Sequence, residues 1–183
     1  MTLYEAKGGV SMYRCNHYSR LNSFTALRFT MFVLILLLSG QSLADSSDQQ
    51  IAKILKADKS PEGIVFEILA DDSGLKWAIP KVQAYVKQLR KKWPKIKIAV
   101  VSHGDEQFAL TKKNQSRFKQ VHTQVKSLTA DLDVSVHICG TYADMKGKAP
   151  EDFPKYVTVS THGPKEIRSY QEFGYILVKL KRK

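Results

Sequence analysis

Cys139, in the stretch VHICGTYADMKG, and His103, in AVVSHGDEQFAL, are the side chains of this sequence best suited to nucleophilic chemistry. A thiol acts through its thiolate, and an imidazole within reach can take the proton or steady the charge, giving a Cys–His pair in place of a full triad. His137 lies two residues before Cys139, so on a strand both point to one face, where a buried and hydrogen-bonded ring is expected. His162, in VSTHGP, is followed by glycine as His103 is, and a His-Gly pair after a strand is equally a turn in which the ring bonds backbone. Sulfur and imidazole suit zinc or copper, but these candidates come from three strands and lack the close loop or helix spacing of a metal motif. Neither a metal nor another cofactor is expected. No glycine-rich phosphate fingerprint follows the first strand, where Asp71 and Asp72 stand, which argues against a nucleotide enzyme.

What an unpaired thiol means depends on the compartment, and the N-terminus speaks to that. Arg14, Arg20 and Arg28 precede the apolar run FTMFVLILLL, which then meets Ser39, Gly40 and Gln41 and the small-residue pattern Ser42-Leu43-Ala44. A bilayer-spanning helix needs about 20 apolar residues, so the run reads as a secretory signal over residues 1–44, cleaved after Ala44, with translation starting at Met1 or at Met12. The expectation is a periplasmic protein with no stable membrane insertion after cleavage. Cys15 leaves with the signal, on the wrong side of the apolar run to carry a lipid, so the mature chain keeps Cys139 alone. In an oxidising compartment such a cysteine is a reactive thiol, an intermolecular bridge or a buried sulfur.

The 183 residues carry a formal charge of +12, and removing Lys7, Arg14, Arg20, Arg28 and Glu5 leaves 25 basic against 16 acidic residues, a net of +9. RKKWPKIK and the tail KLKRK can meet an anionic surface or an acidic partner. The basic residues are scattered, though, and no aromatic RNA-binding motif accompanies them, so a solvated lysine surface and no nucleic-acid partner are expected.

The elements that must position Cys139 and His103 alternate in type. A short helix around Ile51, Ile54 and Leu55 leads to the buried strand IVFEIL. Ile79, Val82, Val86, Leu89 and Trp93 mark one face of a helix, with Pro80 expected in its first turn and Pro94 stopping it. IKIAVV is a second strand, ending before His103, and Phe118, Val121, Val125 and Leu128 mark a second amphipathic helix. DVSVHIC is the third strand, with a short helix expected at TYADMKG. YVTVST is the fourth, Pro164 opens a helix through Ile167, Tyr170 and Phe173 that Gly174 closes, and YILVKL is the last strand. Such alternation predicts a single α/β domain over residues 45–183, a three-layer α/β/α sandwich with a mainly parallel sheet of about five strands. In these sheets chemistry gathers beyond the carboxyl ends of the strands, where Cys139, His103 and His162 fall.

In this order the segments IAVVSHGDEQFAL, VSVHICG and EDFPKYVTVSTHGPKEIRSYQEFGYILVKL together resemble the DsrE/DsrF-like family of small α/β proteins associated with sulfur relay. The resemblance covers essentially the whole mature chain. It implies a compact domain that assembles with itself or with related chains, and a cysteine, matched by Cys139, that carries sulfur as a persulfide between a donor and an acceptor protein. Gln171, Gly174 and Tyr175 match the family's C-terminal pattern and are expected to be structural. The export signal departs from the cytoplasmic setting of sulfur relay.

Two functions follow as expectations. In the first, the chain is a sulfurtransferase-like carrier that takes and passes sulfane sulfur on Cys139 with the help of His103; the start of the helix behind Cys139 activates the thiol, and Gly140 lets the backbone approach closely. In the second, it is a non-catalytic envelope binding or assembly module on the same scaffold. An accessible, acidic thiol favours the carrier, and a sealed one favours the module. Self-association is expected from the resemblance and from the ring-rich C-terminal part, Phe153, Tyr156, Tyr170, Phe173 and Tyr175.

Overall fold

A computed structural model describes residues 47–181; the signal segment expected over residues 1–44 lies outside the described residues. The chain runs α1 (Ser47–Lys56), β1 (Gly63–Ile68), α2 (Gly74–Lys92), β2 (Lys97–Ser102), α3 (Lys119–Ala130), β3 (Val134–Cys139), α4 (Gly140–Met145), β4 (Thr158–Ser160), α5 (Gly163–Glu172) and β5 (Tyr175–Leu180). The strands form one sheet in the order β4-β3-β2-β1-β5. Every neighbouring pair is parallel, and the connections are helical as parallel pairing demands.

Strand alternation splits the side chains between two layers. Ile64, Phe66 and Ile68 of β1, Ile98 and Val100 of β2, and Val134, Val136 and Ile138 of β3 join Ile79, Val82, Val86 and Leu89 of α2 and Val121, Val125 and Leu128 of α3 in the large core. Each such side chain contributes about 1.5–3 kcal/mol by leaving water. The opposite face is sparser: Val65, Ala99 and Val101 pack with Ile167 of α5, flanked by Tyr170, Tyr175 and Leu177. The polar side chains of interest, Glu67, His137 and Lys179, stand in one register row on this thinner side, aligned through Val101. The three-layer α/β/α architecture is thus as expected, with unequal layers.

Several boundaries moved. Pro80 is the seventh residue of α2, not a first-turn residue, because Gly74, Leu75 and Ala78 extend the buried face back toward β1. The carbonyl that loses its proline-blocked bond belongs to exposed Lys76. β4 is three residues long, since Val157 N–H turns back to the Pro154 carbonyl at 3.1 Å before the strand begins. Four of the five C-terminal rings are used inside the chain: Phe153 is buried, Tyr156 bonds His122, Tyr170 bonds His137 and Tyr175 packs on Tyr170. Phe173 remains outside, 75% exposed. Among the described residues, no helix is long and apolar enough to cross a membrane.

Candidate functional site

β3 sends His137 and Cys139 to the α5 side of the sheet while Val136 and Ile138 enter the large core. β2 ends at Ser102, opposite Ile138, one residue short of Cys139. The amide of Gln107 continues the ladder there. Cys139 N–H donates to Gln107 Oε1 at 3.0 Å, and Gln107 Nε2 donates back to the Cys139 carbonyl at 3.3 Å. Gln107 is fully buried, so this clasp fixes the strand end at which the thiol sits.

The thiol itself is 4% exposed and belongs to neither apolar cluster. Its sulfur accepts a hydrogen bond from Gly163 N–H at 3.3 Å. A short helix does begin behind Cys139 as expected, yet the amide that reaches the sulfur comes from the first residue of α5, one strand further along the chain. Gly163 is required by space: a Cβ there would stand 2.7 Å from His103 Cβ and 3.2 Å from Cys139 Cβ. Gly140 likewise lets the chain pass β4, since its Cβ would meet the Ser160 carbonyl oxygen at 2.9 Å.

Cys139 and His103 therefore flank the same glycine, as the sheet-edge argument anticipates, but no hydrogen bond joins thiol and imidazole. His103 Nε2 instead pairs with Glu67 Oε1 at 3.0 Å, and Lys179 Nζ approaches Glu67 Oε2 at 3.1 Å as an ion pair. Oε2 has this ion pair and no hydrogen-bond partner besides. The His103 hydrogen bond, helped by Lys179 and opposed by burial, holds the Glu67 carboxyl below the usual carboxylate range. His103 is thus oriented by a carboxylate, the third partner that a Cys–His pair lacked in the sequence.

His137 is buried and bonded on both nitrogens, Nδ1 to Ser160 Oγ at 2.9 Å and Nε2 to Tyr170 Oη at 2.8 Å. Burial pushes its pKa down, against the pull of Glu166 3.7 Å away, so the ring is neutral at neutral pH. His162 caps α5, its Nδ1 accepting from Lys165 N–H at 3.4 Å. Asp71 accepts from Ser73 N–H and Oγ in an exposed turn. Among the described residues, no three or more His, Cys, Asp or Glu side chains are grouped to hold a metal.

Glu106 and Gln107 went unread in the sequence. Glu106 is fully buried and ties the loops after β1 and β2 together, accepting from Ala70 N–H at 2.7 Å, Ser102 Oγ at 2.7 Å and Gly104 N–H at 3.0 Å. Gly104 leaves room for it, because a Cβ would lie 2.4 Å from Glu106 Oε2 and 2.9 Å from the Ala70 carbonyl oxygen. The readable signal for Glu67 was a carboxylate inside an otherwise apolar strand. For Glu106 and Gln107 no local signal existed.

The fold and this edge define a small three-layer α/β protein with a cysteine-centred rim, and that fold recurs in solved structures. The solved structure of MTH1491, a protein of unknown function from Methanobacterium thermoautotrophicum, matches with a TM-score of 0.51 at 19% identity, over 63% of this chain and 96% of that one. BT1422, a conserved protein of unknown function from Bacteroides thetaiotaomicron, gives 0.47 at 14% identity, over 65% of this chain and 95% of its own. The ychN protein from E. coli gives 0.46 at 15%, over 65% and 99%. At these identities the likeness concerns the fold alone. No family model and no curated protein matches the chain by sequence.

Proposed function

We propose that the chain is a DsrE-like sulfur carrier in which Cys139 is a guarded thiol. The Cys139 thiolate attacks the outer sulfur of a donor persulfide; the donor's S–S bond breaks, its thiolate leaves, and Cys139 holds the sulfur as a persulfide for an acceptor. The observation that carries this reading is the Gly163 N–H on the sulfur in polar surroundings. A cysteine kept for packing sits among apolar side chains, whereas this one has Gln107 on its backbone, Gly163 N–H on its sulfur and His103 on the other side of that glycine.

Burial to 4% favours the second reading, a non-catalytic module in which the sulfur is a sealed part of the wall. We prefer the carrier because Thr161 and His162, next to Gly163, are exposed and a small outward movement there uncovers the sulfur. Guarding also suits an oxidising compartment, where an open thiol forms sulfenic acid or mixed disulfides. Export to the periplasm with cleavage after Ala44, and association of copies of this chain, belong to the same proposal. N-terminal sequencing of envelope material starting at Asp45 supports the first.

Alkylation of the native protein, compared with the denatured one, separates the readings. A guarded carrier thiol reacts in the native protein, slowly but measurably. A sealed one reacts only on denaturation, and that result sinks the carrier.

A further inference from the structure

Beyond the carboxyl ends of β1 and β5 lies a cleft of about 460 Å³ lined by Glu67, Leu69, Ala70, Asp71, Trp77, Lys179, Leu180 and Lys181. Small-molecule sites occupy roughly 300–1,000 Å³. Among the described residues, three buried side-chain polar atoms have no hydrogen-bond partner, and two of them, Glu67 Oε2 and Trp77 Nε1, are on residues that line this cleft. Buried groups without a hydrogen bond are costly, so two of opposite polarity beside one cleft, Glu67 Oε2 having only the Lys179 ion pair, suit a ligand offering both a donor and an acceptor. The charges agree. Lys179 and Lys181 answer an anionic group, Glu67 and Asp71 a cationic one, and Leu180, Ala70 and the 60%-exposed Leu69 supply an apolar wall.

We propose that this cleft binds a small zwitterion, an α-amino acid with an apolar side chain. Lys179 covers Glu67 Oε2 and is itself half exposed, so on binding its ammonium moves to the ligand carboxylate and the ligand ammonium takes its place on Oε2. The half-buried indole turns its N–H onto the same carboxylate, and the side chain lies on Leu69 and Leu180. Simple anions meet Glu67 and Asp71, and simple amines meet the lysines, so neither half of the ligand binds well alone. The cleft shares Glu67 with the pair that orients His103, but binding there needs no reaction at Cys139.

L-leucine is the probe, titrated by calorimetry into the wild-type chain and into Cys139→Ser. Fluorescence of Trp77 in a Trp93→Phe background provides the second readout, Trp93 being the other of the 2 tryptophans. Saturable binding is expected in both chains, with 4-methylpentanoate and 3-methylbutylamine weaker by about tenfold or more, and Glu67→Gln and Trp77→Phe each weakening L-leucine by about tenfold. Trp77→Phe keeps an aromatic ring at the position and removes the N–H. Absence of saturable L-leucine binding, equal binding of either half-molecule, or unchanged affinity in Trp77→Phe overturns the proposal.

Discussion

Gln107 holds Cys139 by its backbone on both sides, accepting its N–H at 3.0 Å and donating to its carbonyl at 3.3 Å. The amide replaces the strand neighbour that β2, ending at Ser102, does not supply. Gln107→Met keeps the volume and removes both bonds, stranding a buried N–H and a buried carbonyl. A loss of about 2–4 kcal/mol is expected in urea unfolding, with Cys139 alkylating faster in the native state. Unchanged stability would mean that the clasp does not hold the strand end.

Gly163→Ala tests the wedge between His103 and Cys139. The added Cβ would lie 2.7 Å from His103 Cβ, a distance that something must relieve. A cost of about 1–3 kcal/mol follows, together with faster native alkylation of Cys139 as the start of α5 moves out. An equally stable variant with an unchanged alkylation rate would contradict the packing described.

Acid stability should depend on Glu67. His103 first, and Lys179 after it, lower its folded pKa, so the unfolded chain takes up the proton at higher pH than the folded one. The stabilisation is present above the ordinary value of 4.5 and lost as pH falls through the lower folded value. Glu67→Gln is expected to flatten the fall in stability over that acid window. Parallel curves for the two proteins would show the pair to be without effect on folding.

His137 acts in a milder window. Its folded pKa lies below the ordinary 6.5 because of burial, so on acidification the unfolded chain binds the proton first and stability drops as pH falls from neutrality toward that folded value. In His137→Phe the drop between neutral and mildly acidic pH shrinks, although the variant is less stable overall from losing Ser160 and Tyr170 as partners. A drop of unchanged size would place its origin elsewhere.

How far these features could be read from the sequence varies with their locality. Apolar periodicity located the strands and helices, and His162 followed by Gly163 and Pro164 gave the start of α5 correctly. It failed at the start of α2, where proline was weighed above the buried face that Leu75 and Ala78 extend, and at β4, where tertiary turns end the pairing early. Cys139 was legible as an end-of-strand thiol. Its surroundings were not, because Gln107, Gly163 and Glu67 reach it or His103 across 24 to 36 positions of chain, and side-chain pairing at that range leaves no periodic trace.

Intact-mass analysis of the purified mature chain after treatment with a low-molecular-weight persulfide tests the central claim most directly. The account predicts a gain of one sulfur atom on the wild-type protein, removed by a thiol reductant and absent from Cys139→Ser. A wild-type mass that does not change, or an equal gain in Cys139→Ser, would contradict it.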